Sequence, residues 1–148
     1  MSGIRSRDTK PEMILRRGLH RRGLRFRLHD RGLSGTPDLV FPGRRAVLFV
    51  HGCFWHGHDC HLYRLPATRP EFWANKIERN RANDARAVSC LADDGWRVGI
   101  VWECAVRGRT RLPEEEVLDR CELWLRAGKY GGDLELRGTA ETGPAPFP

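Results

Sequence analysis

A chain of 148 residues with 26 Lys/Arg against 19 Asp/Glu, net charge +7, has the length of one compact domain and can bury roughly 70% of its unfolded surface. No apolar run approaches the roughly 20 residues of a membrane span, and Met1-Ser2-Gly3-Ile4-Arg5 lacks the apolar stretch of a secretory signal, so a cytoplasmic protein without a membrane partner is expected. Five cysteines cannot all pair within a monomer, which sets a complete disulfide framework aside.

The first element is a helix over 9–22. Thr9-Lys10-Pro11-Glu12 is a capping box with Pro in the first turn, Ile14, Leu15 and Leu19 follow, and Gly23 stops it. Residues 24–28 alternate with period two and read as a strand. Two short apolar runs, 38–41 and 45–50, flank Pro42-Gly43-Arg44 and read as a hairpin in a buried sheet. Thr68-Arg69-Pro70-Glu71 repeats the capping-box pattern and opens a long amphipathic helix with Trp73, Ile77, Ala85, Val88, Leu91 and Ala92 inward, ending at Gly95. Residues 97–102 are a third core strand. Pro113 opens a helix whose acidic first turn suits the macrodipole and whose Val117, Leu118, Cys121, Trp124 and Leu125 face inward. The order implies an α/β fold, a mixed central sheet flanked by helices on both faces. The domain is read as 1–130, and 131–148, rich in Gly and Pro, as a flexible tail. No long exposed apolar stripe demands a dimer, so a monomer is expected.

Charge is uneven along this order. Residues 1–111 hold 22 Lys/Arg against 11 Asp/Glu, and residues 112–148 hold 4 against 8. Of the 26 cations 23 are Arg, whose planar fork suits phosphate and guanine edges, so a nucleic acid is the first partner to consider.

Four of the six histidines fall within 51–61, together with Cys53 and Cys60. The spacing Cys53-x4-His58-x-Cys60, with Cys104 at the mouth of a later strand, offers thiolates and an imidazole that would close a tetrahedral zinc shell and leave no position open for water. Such a zinc is structural. Spacing leaves His56, His58 and His61 as alternatives for the nitrogen ligand. Gly35-Thr36-Pro37-Asp38 sets a carboxylate at the start of a buried strand, beside the strand that delivers Val50 and His51; there it can hold Mg2+. His51 and His56 can supply the base and the charge relief that phosphodiester hydrolysis needs. Phe54 and Trp55, beside the zinc candidates, and Trp73 on the long helix are large apolar groups able to wedge between base pairs.

These residues together resemble the very-short-patch repair DNA mismatch endonucleases. The resemblance rests on Thr9-Lys10-Pro11-Glu12, Gly35-Thr36-Pro37-Asp38, the string from Phe49 through His51-Gly52-Cys53-Phe54-Trp55-His56-Gly57-His58 to Cys60, Phe72-Trp73, and Gly95-Trp96-Arg97 through Trp102-Glu103-Cys104; it spans about residues 4 to 128. It implies a restriction-endonuclease-like core and an enzyme that nicks one strand beside the thymine of a T:G mismatch left by deamination of 5-methylcytosine. It further implies Asp38 and the Val50 carbonyl as Mg2+ ligands, His56 as general base, and His51 and Glu12 assisting at the phosphate. Structural zinc falls to Cys53, His58, Cys60 and Cys104, and the wedge to Phe54, Trp55 and Trp73. Mismatch-repair factors and a cytosine methyltransferase system are implied as partners. Two departures stand out: Val50 where the family's best-known pattern has Thr, and no Glu-x-Lys half of the usual nuclease signature, so that His51 and His56 have to replace the lysine. The rival reading is a zinc-stapled DNA-binding module without catalysis.

Overall fold

The computed structural model describes residues 8–139. Five strands form one sheet in the order β1-β2-β3-β4-β5: β1 (Arg27–Leu28), β2 (Leu39–Phe41), β3 (Ala46–His51), β4 (Arg97–Trp102) and β5 (Leu134–Leu136). The first three are antiparallel and the last three parallel, so the sheet is mixed. Parallel neighbours need a crossover, and helices supply both: α2 (Pro70–Asp93) between β3 and β4, and α4 (Glu114–Arg126) between β4 and β5. A helix α1 (Lys10–Arg21) precedes the sheet, and a single-turn α3 (Glu103–Val106) follows β4. Among the described residues no helix is long and apolar enough to cross a membrane.

Side-chain alternation sends each strand's residues to two different layers. Leu39, Phe41, Ala46, Leu48 and Val101 pack with Leu15 and Leu19 of α1 and Leu118 and Leu125 of α4. Gly18 lets α1 and α4 approach, since a Cβ there would lie 2.4 Å from Leu118 Cδ1. Arg22, just past α1, is fastened to Glu115, Asp119 and Glu122 of α4 at 2.6 to 3.1 Å. The opposite layer is thinner: Val40, Val47, Phe49 and Val98 meet Leu91 of α2. Beyond Phe49 the same face turns polar, with Asp38, His51 and Trp102 continuing the alternation.

Four expectations change. The strand expected over 24–28 shrinks to Arg27–Leu28, because Leu24 is drawn fully into the core under α1. The second capping box does not form: Arg69 is the N-cap of α2, in a left-handed conformation with its guanidinium over the Phe72 ring, and Thr68 lies one residue too early. Along α2, Ile77, Ala87 and Leu91 are buried, whereas Ala85 and Ala92 are exposed. Finally, residues 131–148 do not form one flexible tail, since Leu134–Leu136 pair with β4 as an edge strand. Leu136 enters the core and Glu135 accepts the Trp102 Nε1–H at 2.7 Å, so this edge is held by side chains as well as by its ladder. Residues 140–148 of the expected tail lie outside the described residues.

Candidate active site and metal-binding cluster

A cleft of about 530 Å³ opens where the apolar strip under α2 ends. Its floor comes from β2 and β3, through Asp38, Val50 and His51; its walls come from α2, through Asn80, Asp84 and Ala87, and from the loop that carries His56.

Asp38 stands one residue before β2, where Pro37 delivers it, and its Oδ2 accepts the Val50 N–H at 2.7 Å. Burial pushes its carboxyl up to about 7; the Val50 N–H opposes the shift and the nearby Glu12 charge adds to it. Glu12 itself is 1% exposed, on the inner side of α1.

The two histidines are stacked, ring centroids 3.8 Å apart and planes within 6°. His51 is buried, and burial together with repulsion from His56 pushes it down to about 3, so it is neutral in the free protein at neutral pH. Its Nδ1 is buried without a hydrogen-bond partner. His56 is partly exposed and its Nδ1 lies 2.5 Å from Asp84 Oδ2. An ionised carboxylate only accepts, so Nδ1 donates and Nε2 is left with the lone pair. Asp84 fixes the tautomer a general base requires.

Asp84 escaped the sequence reading. Its signal was present: Ile77, Asn80, Asp84, Ala87 and Leu91 share one face of α2, so two polar residues interrupt a core-facing stripe. Asn80 is held there by donating to the Trp55 carbonyl at 2.9 Å.

The loop carrying His56 is anchored by sulfur. The ligand atoms of Cys53, His58, Cys60 and Cys104 all lie within 4.8 Å of one another. His58 Nδ1 is 3.5 Å from Cys53 Sγ and 3.6 Å from Cys104 Sγ, near the edges of about 3.5–3.8 Å of a tetrahedral zinc shell. Of the three histidines that spacing left open, His58 joins the sulfurs, while His56 turns to Asp84. The hydrogen bond between Cys53 and Cys104 pulls the Cys104 thiol down and pushes the Cys53 thiol up, and the Gly138 N–H adds to the lowering of Cys104. Three thiols and an imidazole are a donor set that would fit a four-coordinate structural zinc.

One indole joins the two clusters. The His58 ring stacks on Trp102 at 4.0 Å, and the same indole meets His51 edge-on at 5.2 Å. Gly57, between the two loop histidines, has φ +62, and a Cβ there would meet Ile77 Cγ2 at 2.7 Å, so the loop is pressed onto α2. Outside the cleft, Phe54, Trp55 and Trp73 form a partly exposed aromatic group with centroids 5.1 to 5.7 Å apart, extended by the exposed Phe72.

Comparison with known proteins bears on this arrangement. The sequence pattern described as DNA mismatch endonuclease Vsr matches residues 1–62. The chain is 46% identical over 138 residues to the DNA mismatch endonuclease Vsr of Escherichia coli, covering 93% of this chain and 88% of that protein. The chain belongs to the Vsr DNA mismatch endonuclease family. A second Vsr-like relative, the type II nicking enzyme V.XorIIP of Xanthomonas oryzae pv. oryzae, is 57% identical over 104 residues, 70% of this chain and 76% of that protein. The type II nicking enzyme V.NmeAIP of Neisseria meningitidis is 38% identical over 109 residues, 74% of this chain and 78% of its own length. The Vsr match ending at residue 62 takes in Glu12, Asp38, both stacked histidines and three of the four clustered metal donors; Cys104, Asp84 and the wall formed by α2 lie beyond it.

Proposed function

We propose that this protein is a Mg2+-dependent DNA mismatch endonuclease that nicks one strand of a duplex beside the thymine of a T:G mismatch, on a restriction-endonuclease-like core with a structural zinc. The observation that carries the reading is the convergence of a buried carboxylate, two stacked imidazoles and a His–Asp pair in a single cleft. The names of the relatives, mismatch endonuclease and nicking enzymes, support single-strand cleavage.

Asp38 and the Val50 carbonyl offer the hard oxygen donors that Mg2+ prefers, and one or two carboxylates with waters are its usual protein complement. A carboxyl pushed up to about 7 by burial gains from a cation beside it, which favours the fit. When bound, Mg2+ supplies a Lewis acid that draws charge from the phosphodiester and its leaving oxygen.

The chain's own residues do the rest. His56 Nε2 takes the proton of the attacking water, and Asp84 stabilises the imidazolium that results. His51, neutral and stacked beneath His56, holds that ring in plane; its unpartnered Nδ1 is a site for a hydrogen bond that substrate or water completes. Glu12, buried on α1, assists at the phosphate through His29, which its Oε2 meets at 2.8 Å and which lines the cleft. Cys53, His58, Cys60 and Cys104 would hold a zinc that steadies the loop carrying His56, with no part in the reaction itself. Phe54, Trp55 and Trp73 enter the duplex at the mismatch, where a wobble pair unstacks at lower cost.

The test is a nicking assay on end-labelled T:G and C:G duplexes with Mg2+. One cut on the thymine strand of the T:G duplex is expected; binding to both without any cut would favour the non-catalytic module.

A further inference from the structure

His29 belongs to neither cluster above, yet it lines the cleft. It follows β1 with φ +48, a left-handed backbone that costs a residue with a Cβ on the order of 1 kcal/mol. Contacts to two elements hold it there. Its N–H donates to the Asp38 carbonyl at 3.1 Å, and its Nε2 lies 2.8 Å from Glu12 Oε2. The same Nε2 is 4.0 Å from Asp38 Oδ1, and the ring is 13% exposed. Facing a carboxylate, which only accepts, Nε2 carries the hydrogen.

The other partners of Glu12 pull elsewhere. Its Oε1 accepts the Asp8 N–H at 3.0 Å, and Arg16, 3.4 Å from Oε2, is held more closely by Asp8 at 2.6 Å. Of these partners of Glu12, His29 is the one that lines the cleft, and it also contacts Asp38, so it links the buried helix-borne carboxylate to the acid at the start of β2.

We propose that His29 is a positioning residue: its Nε2–H holds the Glu12 carboxylate while its backbone N–H holds the Asp38 carbonyl, tying both acids to one edge of a site for a divalent cation. This rests on the reading of the cleft as a metal-dependent nuclease site and adds a residue to it. The backbone strain at His29 has a purpose in this account, since a right-handed residue would carry the ring away from both acids.

Mn2+ binding to the zinc-loaded protein, followed by electron paramagnetic resonance without DNA, tests the proposal apart from activity. Outer groups that orient metal ligands change affinity by about 10–100-fold, and that loss is expected for His29→Leu, while His29→Gln, whose amide N–H reaches the same point, stays within about threefold of wild type. Binding of a T:G duplex in the absence of divalent metal is expected to be unchanged in both, with the nicking loss confined to kcat. Wild-type Mn2+ affinity in His29→Leu would overturn the proposal. So would a His29→Gln variant as weak as His29→Leu, because ring packing and not the donor would then matter. Should His29→Leu fail to fold or lose its zinc, His29→Asn, too short to reach Glu12, takes its place with the same expected loss. Asp38→Ala binding Mn2+ as tightly as wild type would instead defeat the metal-site reading itself, whatever His29 does.

Discussion

The two faces of the sheet are made from alternate residues of the same strands, and they end differently. On the α1/α4 face the alternation is apolar apart from Arg97, whose guanidinium lies over Trp124 and donates to the Trp124 carbonyl, and Leu118 closes onto Gly18 with no room for a Cβ. On the α2 face the apolar strip stops at Phe49, and the next positions in register are Asp38 and His51. One face is sealed and stores stability; the other is left polar, and a loop fastened by sulfur has to close it. The cleft opens where hydrophobic packing has been given up, and the Cys53, His58, Cys60 and Cys104 cluster gathers the loop there.

The strongest way to break this contrast is to remove the metal cluster. Structural zinc contributes apparent folding free energy on the order of 10 kcal/mol, comparable with the whole stability of a domain. Cys104→Ser, or a strong chelator, is expected to abolish hydrogen-exchange protection over 52–65 and lower the melting temperature sharply, while β2 to β4 and α4 exchange last. Uniform loss of protection on both faces would contradict the division. Next in size, His56→Ala should reduce the single-turnover nicking rate by about 10²–10⁴, and Asp84→Ala by a smaller factor at unchanged DNA affinity. Equal nicking by wild type and Asp84→Ala would remove the His–Asp pairing from the account.

The carboxyl at the floor of the open face gives a prediction in pH. Asp38 is raised to about 7 from an ordinary 3.8, so between those values the folded metal-free protein binds the proton more tightly than the unfolded chain does. Its stabilising contribution is therefore full below about pH 4, lost as pH rises to about 7, and flat above. Asp38→Asn lacks that slope. Measured metal-free in denaturant, the variant should gain on wild type from pH 4 to pH 8 by on the order of a few kcal/mol, while losing nicking altogether. A constant difference across that range would show that burial does not strain the acid.

Smaller effects sharpen the contrast further. Trp55→Ala should cost roughly 1–3 kcal/mol of preference for the T:G duplex and less of the affinity for matched DNA, read by competition binding; equal losses on both would contradict the wedge. At the bottom of the scale, Thr9→Ala should cost about 1 kcal/mol in a urea melt, because Thr9 Oγ1 caps α1, and Thr68→Ala roughly none, because Arg69 holds the N-cap position of α2 and Thr68 makes no cap bond.

That last pair shows what was legible in the sequence. The same four-residue pattern occurs twice and is a cap once; the difference lies in one left-handed residue and a ring beneath its guanidinium. Elements with a full period were readable: β4 spans 97–102 as expected, and all five inward positions of α4 are buried. A three-residue edge strand such as β5 has no period to read, and only its partner β4 and the Trp102 to Glu135 bond reveal it. At the site, position and spacing already offered Asp38, His51, His56 and the sulfur ligands, and the resemblance assigned their roles and selected His58. Asp84 and His29 stayed hidden because each acts through a neighbour far away in sequence, and a lone acid on a helix or a lone imidazole in a loop usually meets only water.

The most direct test of the central claim is single-turnover nicking by Asp38→Ala beside wild type, with duplex binding measured in the same tubes and zinc content confirmed. Full binding of the T:G duplex with no cut strand is the result expected of a cleft whose chemistry starts at that carboxylate. Wild-type nicking by the variant would place the reaction elsewhere in the molecule.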